Sequence, residues 1–181
     1  MIIAGTGHRP DKLIRADIKP YTSTQHFMIV RLCEQHLTIM EASKCISGMA
    51  LGFDQAFAHA AINLKLPLIA AVPFYGQERI WRKESQIFWK YLVDYASLNG
   101  EVHYLADGYS NKALMKRNEW MVDRCDKVLA LCNNFGSSGT AKCINYANIK
   151  MKISSYNSPH RMIYFEGQIK NVTANGTAGN V

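Results

Sequence analysis

Residues 52–74 read GFDQAFAHAAINLKLPLIAAVPF, and the fold turns on how this stretch divides. Phe53, Ala56, Phe57, Ala60, Ala61 and Leu64 recur at three- and four-residue spacing, which lays one apolar stripe along a helix. The PLIAAVPF that follows is a short continuous apolar run, the pattern of a strand covered on both faces. A helix that delivers the chain into such a strand is part of a βαβ unit, whose strands run parallel. The same rhythm extends in both directions. Upstream lie the strand MIIAG, a long helical segment around Thr24 to Ala42 and the strand KCIS. Downstream come a helix from Lys83 to Leu98, the strand EVHYL, a helix from Lys112 to Arg124 and the strand KVLALC, then a helix from Thr140 to Lys152 and the strand RMIYFE. The alternation predicts an α/β, Rossmann-like three-layer sandwich with a mostly parallel central sheet.

A chain of 181 residues with 48% apolar content fits a single domain, read here as residues 1–170. The small, polar, glycine-bearing residues 171–181 read as a flexible tail. Lys and Arg outnumber Asp and Glu by 21 to 14, and the net charge of +7 permits phosphates, nucleotides or nucleic acid as partners. No apolar run reaches the roughly 18 residues of a membrane span, and the start lacks the pattern of a signal peptide. The expectation is a cytoplasmic protein with no membrane partner. The five cysteines contain no CxxC pair, and His26, His36, His59, His103 and His160 lack ligand spacing, so no metal and no cofactor is expected.

In an open parallel sheet, ligands bind beyond the carboxyl ends of the strands, where helix N-termini expose backbone N–H groups. Four glycine-bearing segments follow predicted strands and meet at that edge: GTGHRP, SGMALGFD, PFYGQERIW and NNFGSSGTA. Glycine alone can mean a tight turn or close packing. The polar residues beside the glycines point to a ligand instead. The first segment contributes Gly5, Thr6, Gly7, His8 and Arg9; the second contributes Ser47, Gly48, Met49 and Asp54. GSSGT, with Gly136, Ser137, Ser138, Gly139 and Thr140, precedes a helix and suits a phosphate, although it is no Walker motif because no GK[ST] follows.

Individual roles follow from chemistry. Arg9 and Arg117 can clamp a phosphate bidentately, or form ordinary ion pairs. Asp54 can bind ribose hydroxyls, act as a base, or simply stabilise a helix N-terminus. Trp81 can stack a base while Gln77 reads its edge, or Trp81 can close over the core. His8 can contact ribose or phosphate, shuttle a proton, or satisfy backbone groups. Asn118 is a candidate ligand contact; Trp120 and Met121 read as core, and Asp123 as a cap or local pair.

GTGHRP, SGMALGFDQAFAHAA, PFYGQERIW, KRNEWMVDRCDKVLAL and GSSGT, in this order, resemble the YpsA-like branch of the SLOG superfamily, from about Ile2 to Ala147. Relatives include the DNA-processing protein DprA and the LOG-type phosphoribohydrolases, which cleave the base from a nucleoside 5'-monophosphate. The resemblance implies a Rossmann-like fold, a nucleotide or nucleotide-derived ligand, and a homo-oligomer, dimer or larger. LOG enzymes carry a catalytic Arg and a Glu in PGGxGTxxE. Arg117 matches the former; FGSSGTAKC retains Gly136, Gly139 and Thr140 but places Cys143 at the Glu position. Glycosidic cleavage needs a carboxylate to stabilise an oxocarbenium-like centre or to activate water, and a neutral thiol does neither well. Asp54, Glu119 or Glu78 would have to replace it. The expected function is therefore nucleotide binding by a sensor or sequestering protein. The alternatives are an N-glycosidic hydrolase or transferase, with Arg117 and either Asp54 or Glu119 as catalytic groups, and DprA-like binding of single-stranded nucleic acid.

Overall fold

The computed structural model describes residues 1–13, 22–132, 138–154 and 163–165. Its strands are β1 (Ile2–Gly7), β2 (Lys44–Ser47), β3 (Leu68–Val72), β4 (Gly100–Tyr104), β5 (Lys127–Leu131) and β6 (Ile163–Phe165). They form one sheet in the order β4-β3-β2-β1-β5-β6, with every pairing parallel. The helices are α1 (Pro10–Leu13), α2 (Ser23–Ile39), α3 (Phe53–Asn63), α4 (Lys83–Asn99), α5 (Asn111–Val122) and α6 (Gly139–Ser154). The Rossmann-like sandwich expected from the sequence is the architecture found.

The continuous apolar runs are explained by two cores that share strands β1, β2, β3 and β5. Ile3, Leu68, Ala70, Val72, Leu129 and Leu131 face the α2, α3 and α4 layer. Their neighbours Ala4, Ile69, Ala71, Val128 and Ala130 face α5 and α6. Successive strand residues point to opposite faces, so a strand covered on both must be apolar at every position. The chain steps outward from β1 to β4 with helices on the first face, then returns through α5 on the second to place β5 beside β1. That reversal leaves a crevice at the carboxyl ends of β1 and β5, where Rossmann-like sheets take their ligands.

Local signals set the helix starts. Thr22 and Gln25 exchange hydrogen bonds in a capping box at the head of α2, and the Ser110 hydroxyl accepts from the Ala113 N–H at the head of α5. One boundary differs from the sequence reading. GTG is not the beginning of a turn: β1 continues through Gly7, which pairs with Leu131, while Gly5 pairs with Ser47 and Leu129. Both glycines serve packing. A Cβ on Gly5 would lie 2.5 Å from the Phe57 ring, and one on Gly7 would overlap Phe53. The two phenylalanines, four residues apart on α3, press directly onto the β1 backbone.

Between α2, α3 and α4, His26 Nε2 lies 3.2 Å from His59 Nδ1, and both rings pack against Phe88. Burial, reinforced by repulsion from His59, lowers the His26 pKa to about 4. Its pKa in the unfolded chain is the ordinary 6.5. Between these values the unfolded chain binds more protons, so the stabilisation is present above about pH 6.5 and is lost as the pH falls toward 4. Partial exposure reduces the loss to about 1–2 kcal/mol. Denaturant melts from pH 7 to 4 should show this decline, and His26→Phe should flatten it; an unchanged slope in the variant would refute the assignment. Among the described residues, no helix is long and apolar enough to cross a membrane.

Candidate functional site

The crevice at the β1 and β5 ends is a cleft of about 410 Å³. Each wall comes from a different element. The end of β1 and the residues after it supply Thr6, Gly7, His8 and Arg9, and α1 adds Lys12. The α3 side supplies Ala50 and Asp54; α5 supplies Asn111, Leu114, Met115, Arg117 and Asn118; and the start of α6 supplies Ser138, Gly139, Thr140 and Lys142. Among the described residues, four cationic side chains, those of Arg9, Lys12, Arg117 and Lys142, line the cleft against the single carboxylate of Asp54. The positive end of α6 opens into the same space.

Arg117 and Asp54 form the electrostatic centre. Arg117 Nη1 donates to Asp54 Oδ2 at 3.1 Å, and the two side chains are only 10% and 6% exposed. Burial raises the Asp54 pKa above the ordinary carboxylate value, against the opposing pull of Arg117 and of the hydrogen bond from the Ala50 N–H. Arg117 Nε is buried without a hydrogen-bond partner among the described residues, so the guanidinium keeps an unspent donor beside the cleft. Gly48 makes the pair possible, because a Cβ there would collide with Arg117 Nη1.

The phosphate-cradle residues are held from behind. The Thr140 hydroxyl donates to the Gly7 carbonyl at 2.9 Å, tying the α6 head to β1, and Asn118 Nδ2 donates to the Gly139 carbonyl at 3.3 Å. His8 Nε2 sits 3.3 Å from Cys132 Sγ, with both residues buried, which fixes the imidazole at the cleft floor.

Ten of the sequence candidates thus meet in one place: Thr6, Gly7, His8, Arg9, Asp54, Arg117, Asn118, Ser138, Gly139 and Thr140. Others do not line the cleft. Gly5 lies under Phe57. Ser47 braces the β2–α3 turn, its hydroxyl donating to the Asp54 carbonyl at 2.7 Å and accepting from the Met49 N–H at 3.2 Å. Met49 is fully buried in a left-handed conformation with φ 60°, and Gly48 contributes space rather than a contact. Gln77 is buried apart from the cleft, and Trp81 packs against the α2–α3–α4 core, the lid reading rather than the base-stacking one. Glu119 is two residues beyond Arg117 on α5 and so points about 200° away around the helix. Glu78 is likewise absent from the lining. Gly136 and Ser137 fall outside the described residues.

Cys143, which the resemblance sets at the LOG-type Glu position, is buried in the second core and is not among the residues lining the cleft. Burial pushes its thiol pKa up to about 11, so it is neutral at pH 7. Sequence reading missed Lys12, Ala50, Asn111, Leu114, Met115 and Lys142. The α5 residues had a legible signal, since Asn111, Leu114, Met115 and Asn118 share one helical face.

No family model matches the chain. Over 133 residues it is 29% identical to YoqJ, an uncharacterized SPbeta prophage-derived protein of Bacillus subtilis (strain 168), covering 66% of this chain and 77% of that one. It is similar to the X-ray structure of DNA processing protein A (DprA) from Streptococcus pneumoniae, with a TM-score of 0.61 and 19% identity. The likeness is one of fold. It covers 93% of this chain and 51% of DprA, so the chain spans about half the length of that protein. The Rossmann-like α/β fold expected from the sequence is shown by this likeness together with the all-parallel sheet.

Proposed function

We propose that this chain is a YpsA-like SLOG protein that binds a nucleotide or nucleotide-derived small molecule in the β1–β5 cleft, as a sensor or sequestering protein. The observation that carries the reading is the convergence of Arg9, Lys12, Arg117 and Lys142 on the first turn of α6. Such a site favours a compact anion, and a phosphate satisfies both the cations and the helix end. Arg117 and the Ser138–Thr140 turn would hold the phosphate, with Asp54 available to ribose hydroxyls. Binding without hydrolysis fits the carboxylate inventory, since among the described residues the one carboxylate lining the cleft is ion-paired through Oδ2 with Arg117, and the LOG-type Glu position is a neutral thiol. A homodimer or larger assembly in the cytoplasm belongs to the same proposal.

The hydrolase reading rests on one observation, the raised pKa of Asp54, which would suit an acid at the sugar. Likeness of fold to a DNA-processing protein keeps single-stranded nucleic acid as the third reading. Calorimetric titration with AMP, GMP, UMP, inorganic phosphate and a single-stranded oligonucleotide separates them, with free base assayed in parallel. Saturable nucleotide binding without base release is expected, and Lys142→Ala should weaken it roughly tenfold through the loss of one charge-assisted contact. Base release would establish the hydrolase. Oligonucleotide binding with a steep salt slope and no mononucleotide binding would replace the proposal by the third reading.

A further inference from the structure

Beside the cleft, four aromatic side chains gather at the carboxyl edge of the sheet. Phe74 and Tyr75 follow β3, Tyr104 ends β4, and Tyr109 precedes the α5 cap. Tyr75 stacks on Tyr104 with centroids 4.0 Å apart and an interplanar angle of 7°, and Phe74 meets Tyr109 edge to face at 5.5 Å and 81°. Backbone bonds tie the two loops together: the Tyr75 N–H donates to the Ala106 carbonyl, and the Leu105 N–H to the Val72 carbonyl. The cluster is built, yet its outer members are open, Tyr75 being 58% and Tyr109 69% exposed. Tyr109 connects it to the cleft, because its hydroxyl lies 3.4 Å from Oδ1 of the cleft-lining Asn111 and donates to it.

Resting on the nucleotide reading above, we propose that the nucleobase of a nucleotide whose phosphate occupies the cleft stacks on Tyr109. Phe74 holds this ring edge to face, and with the Tyr75–Tyr104 stack at the same sheet edge it makes up the ledge. A nucleobase is the occupant that fits the adjacency. A cationic pocket accounts for the phosphate, and an aromatic face one hydrogen bond from its wall offers stacking to any base. Within the cleft the described lining contains no aromatic side chain except His8, which is buried against Cys132, so among the described residues the ledge offers the base its stacking partner. This moves the base-stacking role from Trp81, which is turned into the core, to Tyr109.

The test is a titration of the wild-type protein, Tyr109→Ala and Tyr109→Phe with AMP and with ribose 5-phosphate, which has the sugar phosphate but no base. Stacking should make wild-type binding of AMP stronger than that of ribose 5-phosphate. Tyr109→Ala should weaken AMP roughly tenfold and leave ribose 5-phosphate unchanged, while Tyr109→Phe should stay within about twofold of wild type for AMP. Equal AMP affinity in wild type and Tyr109→Ala would overturn the ledge while leaving the nucleotide reading intact, as would equal weakening of both probes. Failure of the wild-type protein to bind either probe would overturn the nucleotide reading and the ledge with it. The exposed position of Tyr109 allows both variants to fold, and a thermal melt within a few degrees of wild type verifies this.

Discussion

Arg117→Ala is expected to destabilise the protein by about 4 kcal/mol at pH 7, and by much less at pH 5. The reasoning begins with Asp54, whose carboxylate is buried and whose pKa is already raised despite Arg117. Without the guanidinium what remains is the long hydrogen bond from the Ala50 N–H at 3.4 Å and the weaker attraction of Arg9, too little to hold a buried charge. Asp54 would take up a proton instead. Protonating a carboxyl with an ordinary pKa near 4 costs about 4 kcal/mol at pH 7 and about 1.5 kcal/mol at pH 5. The sign follows because the variant holds a proton when folded that it releases on unfolding, so a falling pH favours the folded state. Asp54→Asn leaves an amide oxygen to accept from Arg117 but strips the buried guanidinium of its counter-charge, and arginine cannot shed its proton, so it should cost about 3 kcal/mol at both pH values. Urea melts of both variants at pH 7 and pH 5 measure these differences. A pH-independent loss in Arg117→Ala would show that packing rather than the buried charge sets its cost.

The same pair shows what a sequence can and cannot reveal about such a site. Arg117 and Asp54 are 63 positions apart, and each could be proposed from its own element, Asp54 from the first turn of α3 and Arg117 from the body of α5. Their contact depends on the direction in which α5 crosses the sheet, which periodicity does not encode. The strands were legible for a robust reason: two-sided burial makes every position of β3, and the four from Val128 to Leu131 in β5, apolar, and no amphipathic pattern competes with those runs. Loop aromatics are harder. Trp81 and Tyr109 both follow strands at the carboxyl edge, but one faces the core and the other faces solvent beside Asn111. Composition offers no distinction between them, because the choice is made by which residues the neighbouring loop brings against each ring. Cys143 illustrates the converse. Its place in the motif was readable, whereas its burial and neutrality come from its packing beside Ile144 and Ala147 in the second core.

Gly7→Ala should cost about 3 kcal/mol, and enlarging this residue should be reversible by shrinking another. The opening GTG resembles a turn because glycine is the usual turn residue. In the fold it is strand, and its missing side chains are space occupied by Phe53 and Phe57, both fully buried and stacked with ring centroids 6.1 Å apart. A methyl group on Gly7 must displace the Cβ and ring of Phe53, and neither can move far because Phe57 and the α3 backbone close the other side. Overpacking of this kind costs about 1–3 kcal/mol, with the upper end expected where a rigid ring and the main chain resist together. Phe53→Leu in the Gly7→Ala background should recover about 1 kcal/mol or more, although Phe53→Leu alone is destabilising, giving a favourable coupling in the double-mutant cycle. The carbonyl of Gly7 also accepts from Thr140 at the head of α6. Any shift of the β1 end should therefore weaken nucleotide binding in parallel with stability, and Phe53→Leu should restore both. Independent responses of stability and binding, or additive losses in the cycle, would show that the glycine serves something other than room for the ring.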